Sequence, residues 1–360
     1  MIVTRASARW AQRLAGFICM VVLANPIALQ LGIKYCLPYT EDRTLNVYVY
    51  QHDKMRPDIL MLGSSKIIRA TIPSVMEPIL SDAMDRRVTV FCLGQAGISA
   101  YANSLVLRDV VASNGGPRLV VLEASPGALN ENHENVPRAL RSYCSFHDLL
   151  AALPYLQNLD LVEAAGAGAF RGLSNFAQYG WSCCFPGQLR RRMEAIRFMK
   201  GGAFRRPLPV RPWRLSSFPP ARKEKELDRI RNGVRHSFLN QFRIGGTPEA
   251  GFREMCRLAK EKNIKLIVIS PPVTKAYRET VFHPEEYEQF TEFMREMIEN
   301  GGIEFYDLND GALRLGLDDY FDYGHVNSAG AGKVSRYLAR MVLAPALRKV
   351  EQAESACRQS

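Results

Sequence analysis

The chain predicts an α/β protein with three layers, α/β/α, around a five-stranded parallel sheet. Three observations predict it. Short Val/Ile/Leu-rich runs recur along the chain and are apolar throughout rather than alternating, as in strands buried on both faces. Segments of helical length and period separate successive runs. Gly- or Pro-bearing stops close several of these segments, the punctuation of a doubly wound sheet. At 360 residues, with 47% hydrophobic and 23% charged content, the chain can bury a sizeable core.

The strands are expected at 58–62 (DILML), 88–92 (VTVFC), 119–123 (LVVLE), 265–270 (KLIVIS) and 303–306 (IEFY). Helical patterns lie at about 72–84 and 99–113, the second closed by Asn114-Gly115-Gly116-Pro117. Thr247 followed by Pro248 reads as an N-cap with Pro at the first helical position, opening a helix to about residue 262. A further helix, 284–299, stops at Gly301-Gly302, and a last one covers 328–342 ahead of a tail at 346–360. The stretch 130–245 breaks this rhythm and is too long for a structureless loop. Its helix-like pieces at 145–165, 188–200 and 222–240 predict a mainly helical insert capping the carboxyl edge of the sheet. No internal repeat is evident.

The N-terminus reads as an address. Arg5, Arg9 and Arg13 precede 14–33, twenty residues without a formal charge, the length of one membrane-spanning helix. Arginines on the leading side favour a cytoplasmic N-terminus. Residues 1–36 are therefore expected to be a signal anchor, with the domain at 37–345 periplasmic or otherwise extracytoplasmic. A signal peptide cleaved after Val22-Leu23-Ala24 and a buried N-terminal helix are the alternatives. The net charge of +11 is concentrated: residues 189–235 carry 15 Lys/Arg against 4 Asp/Glu, a surplus of 11. An exported basic segment suits anionic lipid or an acidic polysaccharide, or serves as a solvated linker, and its address argues against nucleic acid.

No cofactor or metal is expected. Gly94 and Gly97 lack the third glycine and the acidic residue of a dinucleotide fingerprint, and the eight cysteines show no metal-ligand spacing or assignable pairing. Asp318 and Asp319 read as a solvated turn. His133 and His147 read as surface groups, with substrate binding the alternative.

In an open α/β sheet the working crevice lies beyond the carboxyl ends of the strands. Gly63-Ser64-Ser65 follows the first strand there, Gly94 to Gly97 follows the second, and "DDYFDYGHVNSAGAG" (318–332) follows the last. A serine needs a base to take its proton, and the base works best when a carboxylate orients it. Asp322 and His325, three residues apart on one segment, can supply both. Gly-rich turns offer backbone N–H groups to an oxyanion.

The motifs "LGSSK", "CLGQAG" and "FDYGHVNSAGAG" resemble blocks I, II and V of the SGNH (GDSL-like) hydrolase superfamily. The likeness covers about 58–125 and 247–345 and is closest to membrane-anchored members acting on envelope polymers, such as the alginate O-acetylation proteins and the D-alanyl-lipoteichoic acid transfer protein. It implies a flavodoxin-like domain with Ser65 as nucleophile, His325 as base and Asp322 orienting it. Ser64 stands where the family usually has Asp. The oxyanion hole would use the N–H groups of Ser65 and Gly97. The family's third block supplies an Asn side chain, but here it reads "LEASPGALNEN" (122–132), so Ser125 by register, or Asn130 or Asn132 farther on, takes that place. The resemblance implies an O-acetyltransferase or carbohydrate esterase acting on an envelope or exported polysaccharide, with a membrane-bound acyl-donor protein as a further partner. A catalytically inactive module that binds polysaccharide or scaffolds an envelope assembly is the alternative, suggested by the altered third block.

Overall fold

The computed structural model describes residues 56–94, 97–114, 116–133 and 223–359. The elements run β1 Ile59–Leu62, α1 Ser65–Ala70, α2 Pro73–Met84, β2 Val90–Cys92, α3 Ala100–Asn114, β3 Leu119–Glu123 and a single turn α4 Pro126–Leu129. After the undescribed stretch come α5 Lys223–Phe238, α6 Gly246–Glu261, β4 Lys265–Ser270, α7 Lys275–Val281, α8 Pro284–Gly301 and β5 Glu304–Asp307. The chain closes with a 3-10 turn Leu317–Asp319, β6 Tyr320–Asp322, β7 His325–Val326, α9 Ser328–Tyr337, a π-helical segment Leu338–Leu343 and α10 Ala344–Gln359.

The first five strands form one parallel sheet in the order β2-β1-β3-β4-β5. Strand residues alternate between two cores, so each run must be apolar throughout. Leu60, Leu62, Val120, Leu122 and Val268 face α3, α6 and α8, where Val106, Phe252 and Phe290 complete the packing. Ile59, Met61, Val121, Ile267 and Ile269 face α1, α2, α9 and α10, meeting Ile67, Leu80, Val334 and Leu347. The strand order reverses between β1 and β3. In sheets of this topology that switch point opens a crevice at the carboxyl edge.

Several sequence expectations need correction. Thr247 is not the cap of α6: the helix begins at Gly246, two residues earlier than expected, Gly245 holds the cap position and Thr247 is buried in the first turn. The reason is tertiary, since the chain arrives extended through a bridge between Asn130 and Ile244. Residues 344–359 are helical rather than a tail, and Glu351 on α10 is gripped by Arg86 (2.6 Å) and Arg118 (3.1 Å). Asp319 is buried instead of solvated, paired with Lys333 Nζ at 2.8 Å and accepting the Gly316 N–H. The 14–33 span, most of the predicted insert and His147 lie outside the described residues. No helix among the described residues is long and apolar enough to cross a membrane.

Gly330 on α9 shows how tightly the last helix meets the β6–β7 ribbon. A methyl group there would overlap the carbonyl oxygen of Asp319 and lie 3.0 Å from Val326 Cβ. Gly330→Ala is expected to cost about 1–3 kcal/mol by overpacking, read as a lower midpoint in urea unfolding. Because the displaced backbone carries Asp322 and His325, activity should fall with it.

Candidate active site

Ser65 is the first residue of α1. Ser64, in extended conformation, caps that helix by accepting the Lys66 N–H at 3.2 Å. The capping turn bends the chain sharply at the end of β1 and lifts the Ser65 side chain off the sheet's carboxyl edge.

The other two polar groups come from the β6–β7 ribbon, a two-stranded antiparallel unit in which Asp322 pairs with His325. The turn between them holds itself, with Gly324 N–H donating to Asp322 Oδ1 at 2.8 Å. Asn327 then pins the ribbon to α9. Its side-chain oxygen accepts the N–H groups of Ala329 and Gly330, and its amide donates to the carbonyls of Asp318 and Tyr320. On the other side Thr274 donates its N–H to the Tyr323 carbonyl at 3.0 Å, tying the turn to the start of α7.

These supports bring three residues into line. Ser65 Oγ lies 2.9 Å from His325 Nε2, and His325 Nδ1 lies 2.8 and 2.9 Å from the two oxygens of Asp322. A carboxylate can only accept, so the proton resides on Nδ1 and Nε2 is left as acceptor for the Ser65 hydroxyl. Burial works against the charge on Asp322. Its hydrogen bond and charge contact with His325, the Gly324 N–H and the charge of Arg69 (3.7 Å away) outweigh that, holding its carboxyl below the usual range.

Ser65 and His325 open into a cavity of about 270 Å³. Gly97, in the left-handed conformation at φ 69°, lines it, as does Ser125. The three third-block candidates separate clearly. Asn130 is fully buried and its side chain is spent on backbone: the amide donates to the carbonyls of Phe238 and Asn240, and the oxygen accepts the N–H groups of Arg243 and Asn132. It joins residue 130 to the 238–243 turn and does not line the cavity. Asn132 likewise donates to the Gln241 carbonyl at 2.9 Å. Ser125 therefore occupies the wall, and its hydroxyl caps nothing on α4.

Much of the remaining wall is apolar. Val234, Phe238 and Leu239 come from α5 and the residue after it, Tyr277 and Phe282 from α7 and its C-cap, and Ile98 from just before α3. Lys66 adds a cation over the Tyr277 ring at 5.3 Å. Helix α5 is fastened by Arg235, which makes paired bonds to Glu286 at 2.8 and 3.0 Å and a third to the Val281 carbonyl.

His133, expected at the surface, is only 6% exposed and lies in this wall, 4.6 Å from the Phe238 ring. Burial, with the nearby charge of Lys66, lowers its pKa to about 4. The unfolded chain, at 6.5, binds the proton first, so folding stability is full above pH 6.5 and declines as pH falls towards 4. The loss should approach about 3 kcal/mol. Urea unfolding of wild type and His133→Asn across that range checks it, the variant showing the shallower pH slope.

Sequence reasoning passed over Glu123, which lies at the sheet's carboxyl edge, 5% exposed, beside Ser64. A terminal acidic residue on an otherwise apolar strand was the available signal. Among the described residues no cluster of three or more His, Cys, Asp or Glu is arranged to hold a metal ion.

Residues 215–338 match a family model described as a protein of unknown function, DUF1574. No curated protein matches the chain in sequence. Among solved structures, the chain is similar to a GDSL-like lipase from Bacteroides thetaiotaomicron at 12% identity and TM-score 0.36, covering 86% of this chain and 98% of the other. It is also similar to a Bacteroides fragilis protein provisionally described as an acylhydrolase, at 11% identity, TM-score 0.34 and coverage of 84% and 95%. A Streptococcus pneumonia chain provisionally described as a platelet activating factor gives 14% identity, TM-score 0.34 and coverage of 87% and 97%.

Proposed function

We propose that this protein is a serine acyl enzyme of the SGNH type. The observation that carries the reading is the continuous hydrogen-bonded line from Ser65 Oγ through His325 to Asp322, at 2.9 and 2.8 Å, opening into a cavity. Ser65 Oγ attacks an ester carbonyl while Nε2 takes its proton, and Asp322 holds the resulting imidazolium. The carbonyl oxygen becomes an oxyanion met by the N–H groups of Ser65 and Gly97 and the hydroxyl of Ser125. Collapse breaks the ester C–O bond, and the leaving alcohol takes the proton back from Nε2. The acyl-serine then passes its acyl group to a second hydroxyl, or to water, by the same steps in reverse. The apolar wall of Val234, Phe238 and Phe282 suits the acyl portion and limits water near the acyl-serine.

The finer reading places this site outside the cytoplasm, held to the membrane by residues 14–33. It acts there as an O-acetyltransferase or esterase on an envelope or exported polysaccharide, with a membrane-bound protein as acyl donor. The charge-free N-terminal span and the basic segment support that address and that class of polymer. The test uses the full chain in detergent with a fluorophosphonate probe and 4-nitrophenyl acetate. Labelling of wild type but not Ser65→Ala supports the enzyme; equal labelling of both abandons it in favour of a non-catalytic binding module.

A further inference from the structure

We propose that Glu123 is a positioning residue for this site: its buried carboxylate clamps Ser64 and thereby fixes the turn that aims Ser65 at His325. The inference rests on the acyl-enzyme reading above and adds a fourth residue to it.

Strands β1 and β3 are parallel neighbours, with Leu62 opposite Leu122. The next residues along, Gly63 and Glu123, therefore meet at the sheet's carboxyl edge. From there the Glu123 side chain takes both donors of Ser64. Its Oε2 accepts the backbone N–H at 2.6 Å and its Oε1 accepts the hydroxyl at 2.7 Å. The Ser64 hydroxyl in turn accepts the Lys66 N–H at 3.2 Å. One carboxylate thus holds the backbone and side chain of the residue before the nucleophile, and through it the first turn of α1.

Gly63 leaves room for this arrangement. A Cβ at that position would lie 2.6 Å from Glu123 Cβ and 2.5 Å from Ile67 Cγ1. Burying a carboxylate is costly unless strong hydrogen bonds compensate it, and Glu123 makes no ion pair among the described residues. Its two short bonds from Ser64 supply that compensation. A glutamine of the same shape can accept only one of those donors through its oxygen, because its NH₂ faces the other. A carboxylate is the side chain that takes both.

Glu123 also lines the cavity, so a direct role in proton transfer needs separating from positioning. Both its oxygens are engaged by Ser64, and the proton of Ser65 already has an acceptor in His325. Its contribution is to hold the Ser65 Oγ and N–H in place, which a displacement of about 1 Å can spoil by roughly 10²-fold.

The experiment compares the full-length wild type with Glu123→Gln, Glu123→Ala, Ser64→Ala and the double variant Ser64→Ala/Glu123→Gln, using 4-nitrophenyl acetate turnover, fluorophosphonate labelling at Ser65 and thermal unfolding. Glu123→Ala is expected to lower kcat by about 10²-fold with KM within about threefold. Glu123→Gln should recover part of that loss. The double variant should lose less than the product of the two single losses, as expected for residues acting as one unit. A folded Glu123→Gln chain with wild-type kcat and labelling rate overturns the proposal, even where Glu123→Ala does not fold. So does a loss confined to KM or to melting temperature. A wild type that Ser65 reagents do not label removes the enzyme reading and this inference together; a labelled wild type matched by Glu123→Gln removes this inference alone.

Discussion

Ser65→Ala and His325→Ala each lower kcat for 4-nitrophenyl acetate by about 10³-fold or more, and the double variant is no worse than the more damaged single. That result is expected because the two residues perform one act. Without the imidazole the Ser65 hydroxyl loses the base it is bonded to, and without the hydroxyl the imidazole loses the proton it takes. The 2.9 Å contact already joins oxygen and acceptor nitrogen in the resting chain. KM should change little, since the apolar wall is untouched. Residual turnover above the uncatalysed rate would come from the remaining oxyanion donors and from binding. Steady-state kinetics on the three variants checks this, and losses that multiply in the double variant would refute a shared step.

The second large effect is expected at Asp322. Both carboxylate oxygens approach Nδ1, at 2.8 and 2.9 Å, so the proton stays there and Nε2 keeps its lone pair towards Ser65. In Asp322→Asn an amide replaces the carboxylate. Its NH₂ can donate to Nδ1, which moves the ring proton to Nε2 and turns the base into a donor facing the nucleophile. By the behaviour of such triads the expected loss in kcat is about 10³–10⁴-fold. The fold should survive, because an amide oxygen can still accept the Gly324 N–H that closes the turn. Kinetics paired with a circular dichroism spectrum checks both halves. An Asn variant retaining a tenth of wild-type kcat would show that Asp322 is dispensable.

The strands were legible because their signal is local and strong. LVVLE and KLIVIS occupy β3 and β4 residue for residue, and the observed β1, β2 and β5 depart from the expected 58–62, 88–92 and 303–306 by one or two residues at their ends. The β6–β7 ribbon was not read as strands, since elements of three and two residues are too short for any period to show. Helix α1, six residues long, escaped for the same reason. Helix α10 was passed over as a tail. Its place is set by the grip of Arg86 and Arg118 on Glu351, side chains more than 230 residues away in sequence.

The site divides along the same line. Asp322 and His325 are near neighbours, so their meeting could be anticipated from spacing alone. Ser65 is 260 residues from His325, and only the alternation of strands and helices suggested that they share an edge. In sequence, register pointed to Ser125, with Asn130 or Asn132 farther along as alternatives. The 238–243 turn, over a hundred residues on, occupies the Asn130 amide and leaves Ser125 on the cavity wall.

His133 was assigned to the surface because nothing near it in sequence buries it; Phe238 does. Glu123 was read as the end of a strand, and its task became visible once β1 lay beside β3 and brought Ser64 within 2.7 Å. By itself the sequence determined the five strands of the parallel sheet, most of the helices and the residue types able to do acyl chemistry, because periodicity and motif spacing are properties of neighbours along the chain. The tertiary structure decided which polar groups face the cavity and which are consumed by backbone. Hydrogen-bond partners 59 to 260 residues apart are set by strand order and helix packing, and spacing along the chain does not encode them.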